Sequence, residues 1–424
     1  MHGGAIAAIR ESVLRRRSES MQLLSDLVRI PTVSGHEDQA ESLLAGWFGE
    51  NQWAVERQIL GDSEAGRSPR GLVEPRKSER ANVMGWLRAS TGRPVVTINA
   101  HYDVVPVIDP DDWLDEPFSA VQRDGALYGR GAVDNKAGCV TAMYALQAIA
   151  DAGIELAFDL AVEFVVGEET TGLGTLATLE RFPARIATVV MEPTSSAVIS
   201  VNSGALFFTI GVDGRAVHTS VPWLGEDALA KLLTIYQKLN ELGDRRAASH
   251  RHPLMEHLPS SVPIVIGMLA GGGWRAAVPG HATMSGRIGV LPDEPLAAVR
   301  AELHAVVDEV ADSDSWLKEH RPIVTWDNDG LPGWQTPVES DLVQSFLFGQ
   351  HAAGRESRIE GLTTGCDAGV LFRSGITVVV FGPGDLARAH SPNEYVREDE
   401  VIEATTILAA SLVELSRRVR GGGE

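Results

Sequence analysis

The chain has 424 residues, about three times a common domain size, which favours two domains over one core. A composition of 44% hydrophobic and 22% charged residues excludes a disordered chain. The formal charge of −20, from 37 Lys and Arg against 57 Asp and Glu, opposes binding to phosphate backbones and anionic lipid, so nucleic acid and membrane are excluded as expected partners.

Residues 1–17 hold no apolar signal-peptide segment before Arg15-Arg16-Arg17, and no window is apolar enough to span a bilayer, so a cytoplasmic protein is expected. Helical apolar spacing over residues 6–28 ends at Ile30-Pro31, and a second helix is expected at 37–52. Residues 59–80 turn polar and lose all periodicity, which reads as a long surface loop or mobile insertion. Apolar runs at 95–99 and 160–166 flank a helical pattern at 137–152. Strand, helix, strand implies a buried, mostly parallel α/β sheet with helices on both faces.

After Gly204 the texture changes to strand 206–212, helix 226–242, strands 263–269 and 283–290, helix 295–311 and strand 322–326. This β-α-β-β-α-β order describes a separate α+β unit. Helix 341–353 and strand 376–381 return to the first texture. The expected organisation is a catalytic α/β domain from residues 1–201 and 334–424, interrupted by an inserted lid or dimerisation domain at 202–333.

Two cysteines, Cys139 and Cys366, are too few for a disulfide scaffold and lack zinc-ribbon spacing, so any metal falls to His and carboxylates. In Asn99-Ala100-His101-Tyr102-Asp103-Val104-Val105-Pro106, at a strand end, His101 and Asp103 share a face on extended backbone. A carboxylate there can accept the N–H of the imidazole nitrogen that faces away from a metal. The alternative is a histidine that merely caps the strand. Asp134, in Gly129-Arg130-Gly131-Ala132-Val133-Asp134-Asn135-Lys136, taken alone reads first as the N-cap of the following helix, the commonest job of an Asp at that point. Glu168-Glu169 follows an apolar strand, and adjacent residues on extended backbone point in opposed directions, so one can bind a metal while the other faces its water. Glu192 ends the apolar run 187–191, and His390 follows a strand and the turn Gly382-Pro383-Gly384. His250, His252 and His257 fall in a polar loop and read as solvated.

Taken in order, Asn-Ala-His-Tyr-Asp-Val-Val-Pro, Gly-Arg-Gly-Ala-Val-Asp-Asn-Lys, Gly-Glu-Glu-Thr-Thr-Gly, Glu-Pro-Thr and Ala-His-Ser-Pro-Asn-Glu-Tyr resemble the two-zinc family of acetylornithine deacetylase, succinyl-diaminopimelate desuccinylase, aminoacylase and glutamate carboxypeptidase. The resemblance spans nearly the whole chain. It implies two Zn2+ per subunit, with Co2+ or Mn2+ as possible substitutes: His101, Asp134 and Glu192 around one, and Asp134, Glu169 and His390 around the other. Such a pair lowers the pKa of a shared water and polarises the scissile carbonyl. By the same resemblance Glu168 is the general base, Asp103 the carboxylate behind His101, and the Asp134–Asn135 peptide is cis. His218, in Gly214-Arg215-Ala216-Val217-His218-Thr219-Ser220, is similar to the histidine that stabilises the tetrahedral oxyanion. Arg287 resembles the arginine that holds a substrate carboxylate.

One departure is Ala276, where the family usually carries Asn; Arg275 beside it is a candidate substitute. The implied reaction is cleavage of the amide bond of an N-acyl amino acid, with a dipeptidase or carboxypeptidase as the alternative. The implied assembly is a homodimer in which the inserted domains pair, with strand 206–212 as the expected free edge and His218 serving the partner's site; the rival is a monomer whose lid closes on its own site with His218 acting in cis. Two rival classes are an oxidoreductase, from the glycine pattern Gly172-Leu173-Gly174, and a metal-free relative that only binds a ligand. The Glu168-Glu169 pair would repel a pyrophosphate, and the intact ligand set argues against a metal-free relative.

Overall fold

The strand Val95–His101 carries two kinds of residue in alternation, as its pleat requires. Val96, Ile98 and Ala100 enter the main apolar core. On the opposite face Thr97 bonds Thr188, and Asn99 bonds Thr175 of the helix Leu173–Thr178. Both faces are therefore covered, the condition for a buried parallel sheet. A computed structural model describes residues 2–60, 80–87, 92–182, 184–327 and 330–421. Most of the surface loop expected at 59–80 lies outside the described residues, and Ile59 itself ends a strand.

The chain divides into two compact units. The first comprises Met1–Ser200, Thr336–Glu360 and Cys366–Glu424, and the second Val201–Gln335 with Gly361–Gly365. The short return at Gly361–Gly365 falls outside the boundaries read from sequence.

In the first unit the parallel strands Asp159–Val165, Val95–His101, Arg185–Val190 and Thr377–Val380 lie side by side in that order. Ala81–Trp86 and then Ala54–Ile59 extend the sheet antiparallel beyond Asp159–Val165. Helices Ala137–Asp151, Asp341–Ala352 and Glu398–Gly421 pack together over the main core. A small antiparallel sheet joins Val121–Arg123, Ala126–Tyr128 and Tyr395–Arg397. The single helix expected over 6–28 is two, His2–Arg15 and Arg17–Val28. At the junction Arg16 pairs with Asp151 and Arg17 with Glu398, so consecutive side chains are anchored to different helices.

The second unit is a four-stranded antiparallel sheet in the order Ile264–Gly271, His281–Val290, Gly204–Asp213, Ile323–Trp326. Helices Ala228–Ser249 and Leu296–Ser313 bury Leu232, Ile235, Leu303 and Val307 against Phe208 and Ile210. The first helix outruns its expected end because Arg246, 1% exposed, is held by Glu294, Glu302 and the carbonyl of Gly289. The expected free edge at 206–212 is wrong: Gly204–Asp213 is paired on both sides. Edge positions belong to Ile264–Gly271 and Ile323–Trp326, and the former exposes Val265, Met268 and Leu269. No described helix is long and apolar enough to cross a membrane.

Candidate metal centre

Open parallel sheets gather functional loops at the carboxyl ends of their strands. His101 is the last residue of its strand, Glu168 and Glu169 follow Val165, Glu192 follows Val190, and His390 follows Thr377–Val380 through the turn at Gly382–Gly384. Asp134 comes from the turn before helix Ala137–Asp151. That turn needs its glycines: at Gly131 the backbone is left-handed (φ 82°), and an added Cβ would lie 2.6 Å from Val104. The Asp134–Asn135 peptide is cis, and the Asn135 amide donates to the Met191 carbonyl, tying the turn to the Glu192 strand. Asp134 does not cap the helix, whose N-cap position is Lys136.

His101 Nε2 lies 3.0 Å from Asp134 Oδ1 and 3.9 Å from Glu192 Oε1. His390 Nε2 lies 3.2 Å from Asp134 Oδ2 and 3.1 Å from Glu169 Oε1. The two oxygens of Asp134 thus face different imidazoles. Two overlapping groups, His101 with Asp134 and Glu169, and His101 with Glu168 and Glu192, each bring one ligand atom per residue within 4.8 Å of one another.

Asp103 takes a different role from the one expected. Its backbone carbonyl, not its carboxylate, pairs with His101 Nδ1, at 3.0 Å against 3.8 Å to Oδ1. The chain turns after His101, so the main-chain oxygen reaches the ring first. The fully buried carboxylate instead accepts the N–H groups of Glu168 and Glu169, both at 3.3 Å. It orders the acidic loop. Both interactions leave His101 Nε2 directed at the carboxylates.

The charges show what such a cluster can hold. Burial, with Asp134 alongside, pushes Glu169 up to about 7, and burial raises Glu192 well above the usual carboxylate range. Burial also works against Asp134, but hydrogen bonds from His101 and His390 overcome it and keep it below that range. Hydrogen bonds to Asp134 and Glu169 raise His390 to about 10, and His101 rises well above its ordinary value when Asp134 outweighs burial. Four carboxylates therefore face two imidazoles, and the raised pKa values of Glu169, Glu192, His101 and His390 all express excess negative charge in one buried cluster. Divalent cations balance the same charge with N and O donors at hand, and the residues fit a two-metal centre.

The remaining candidates lie in the second unit. His218 is exposed, with Ser220 Oγ 2.8 Å from Nδ1, and its strand segment bridges to Ala277. Arg287, on His281–Val290, donates to the Thr363 carbonyl at 2.7 Å, and burial lowers its pKa. Arg275 is exposed and lies over the Trp274 ring. Arg130 and Glu394, to which the motifs assign no role, are both buried at the Asp134 turn. Their sequence signal is a charge between two glycines and a carboxylate four residues after His390. The Gly172-Leu173-Gly174 pattern has a packing cause: the helix it opens is only Leu173–Thr178, and a Cβ on Gly174 would meet the Val166 carbonyl at 2.3 Å.

The chain is 26% identical to N-formyl-4-amino-5-aminomethyl-2-methylpyrimidine deformylase of Bacillus subtilis, over 95% of this chain and 96% of that protein. Its fold is similar to human carnosine dipeptidase 1, with a TM-score of 0.74 at 17% identity over 97% and 99% of the two chains. A dinuclear metal-binding M20 peptidase of Bacillus subtilis superposes with a TM-score of 0.66 at 16% identity over 94% and 97%. The comparisons point to amide-bond hydrolysis and not to an oxidoreductase. Residues 97–414 match the description of peptidase family M20/M25/M40, so the chain belongs to that family of metal-dependent amide-bond hydrolases.

Proposed function

We propose that the chain hydrolyses the amide bond of an N-acyl amino acid or a close analogue with two zinc ions bound. The reading is carried by Asp134, whose two oxygens face His101 and His390 amid three further carboxylates. His101, Asp134 and Glu192 would hold one ion, and Asp134, Glu169 and His390 the other. When bound, the ions supply Lewis acidity, which lowers the pKa of water and polarises the scissile carbonyl.

The chain's own residues perform the remaining steps. Glu168, 6% exposed and fixed through its N–H to Asp103, takes a proton from the attacking water and delivers it to the leaving nitrogen. His218 Nδ1 accepts the Ser220 N–H at 3.1 Å, so the neutral ring carries its proton on Nε2 and can donate it to the oxyanion. Arg287 Nε finds no partner among the described residues, which leaves donor capacity for a substrate carboxylate. Arg275 supplies the polar group towards substrate that Ala276 cannot. A second copy of the chain pairs along Ile264–Gly271, an edge strand with Val265, Met268 and Leu269 exposed.

The test is metal analysis of the purified chain together with a panel of N-formyl, N-acetyl and N-succinyl amino acids and dipeptides, assayed with zinc, cobalt or manganese as free amine released. Glu168→Gln should retain both ions and lose roughly 10²–10⁴ in turnover. Near-normal turnover in that variant removes Glu168 from the mechanism, and a chain that binds no metal removes the reading itself.

A further inference from the structure

The Glu394 carboxylate is 1% exposed and all its hydrogen bonds run to one turn. Oε1 accepts the N–H groups of Val133 at 3.0 Å and of Asp134 at 3.1 Å, and Oε2 accepts from the Arg130 guanidinium at 2.7 Å. Its carbonyl accepts the Gly129 N–H at 2.8 Å. Arg130, 3% exposed, lies over the Trp113 ring and is fixed through its own N–H to the Pro117 carbonyl. Beside Glu394, the Asn393 side chain accepts the Leu114 N–H and donates to the Asp112 carbonyl. The loop that bears His390 is therefore tied to the turn that bears Asp134 at the next residues along the chain.

We propose that Glu394 is a positioning residue that sets the second metal position by fixing Asp134 and His390 relative to each other. The inference rests on the two-metal reading above. Asp134 is reached from both ends by one loop: His390 faces its side chain and Glu394 holds its backbone N–H. A buried ion pair is a poor source of net stability, because desolvation offsets its attraction. What the Glu394–Arg130 pair supplies is direction, since a carboxylate with both oxygens engaged cannot rotate without breaking three bonds. His101 and Glu192 stand at strand ends and are placed by the sheet. Of the first group only Asp134 depends on Glu394, whereas in the second both Asp134 and His390 do. Loss of Glu394 should therefore weaken the two positions unequally.

The experiment titrates metal-free full-length protein with Co2+, following visible absorbance and counting bound ions, for wild type, Glu394→Gln and Glu394→Ala. Outer partners of metal ligands contribute about 10–100-fold in affinity. In Glu394→Ala the first binding step should stay within about threefold of wild type while the second weakens towards the upper end of that range. Glu394→Gln keeps an oxygen for the two amides but turns a donor towards Arg130, so its second step should weaken by about tenfold. If Glu394→Ala does not fold, the near-isosteric Gln variant decides. A folded variant that binds both ions like wild type, or loses both steps equally, overturns the role of Glu394. Wild type that holds fewer than two ions overturns the two-metal reading and Glu394 with it.

Discussion

Asp103 offers the sharpest separation between a residue that serves an imidazole and one that serves a loop. Its fully buried carboxylate accepts the N–H groups of Glu168 and Glu169, while its carbonyl serves His101. Side-chain replacement leaves the carbonyl in place. In Asp103→Asn one oxygen remains, so one buried amide loses its acceptor at a cost of about 1–3 kcal/mol. Asp103→Ala orphans both, for about 2–6 kcal/mol, with the lower part of each range favoured by the 3.3 Å bonds. The released loop carries Glu168, the proposed base, and Glu169, a proposed ligand, and misplacement by an ångström can lower turnover by about a hundredfold. Denaturant unfolding measures the first effect, kcat the second, and metal titration shows whether the His101 position is spared. An Asp103→Ala protein with wild-type stability and turnover, or one that loses metal at His101 while the base still works, refutes the assignment.

Asp151 provides a pH test far from the centre. Burial opposes its ionisation, but hydrogen bonds from Arg16, Ser12 and Gln147 overcome this and hold it below the usual carboxylate range. A depressed folded pKa stabilises at pH above the unfolded value of about 3.9, and that stability is lost as pH falls through the folded value. Asp151→Asn should therefore cost about 1 kcal/mol at neutral pH, after discount for the partly exposed arginines, with the gap to wild type closing below about pH 4; a gap that persists in acid contradicts the sign. For the dimer, Glu168→Ala and His218→Ala should each be inactive alone, yet recover about a quarter of wild-type activity when refolded together in equal amounts. Half the dimers are then mixed, and each has one whole site of two. Mixed dimers as inactive as their parents rule out a shared site.

The parallel core is legible because its strands are buried on both faces and read as apolar runs, as at Thr377–Val380. Ala54–Ile59 escapes notice because its sequence, AVERQI, sets three polar residues in a row and is mostly exposed. Which strand forms a sheet edge is not a local property: Gly204–Asp213 and Ile264–Gly271 are both apolar, and only pairing with Ile323–Trp326 makes the first an interior strand. Alternation along a strand similarly predicts that His101 and Asp103 share a face, but not that the backbone would turn its carbonyl to the ring. At Asp134 a cap and a ligand leave the same local trace, and it is the approach of His101 and His390 from distant segments that supports the proposed ligand role. Glu394 bonds the backbone of the Asp134 turn and the Arg130 side chain, contacts between distant segments that the spacing around Arg130 and His390 hints at but cannot specify.

Arg185–Val190 and Thr377–Val380 are neighbours in the sheet although the whole of the second unit is encoded between them. On the ribosome, Val201–Gln335 can complete its antiparallel sheet while the parallel one still lacks its fourth strand. Domains tend to fold as they emerge, so the unit that begins the chain is the last to close. Until residues 390–394 are released, the nascent protein also lacks His390 and Glu394. The candidate metal centre is thereby completed only after the second unit has been made, and a chain cut before residue 390 lacks one of the proposed ligands.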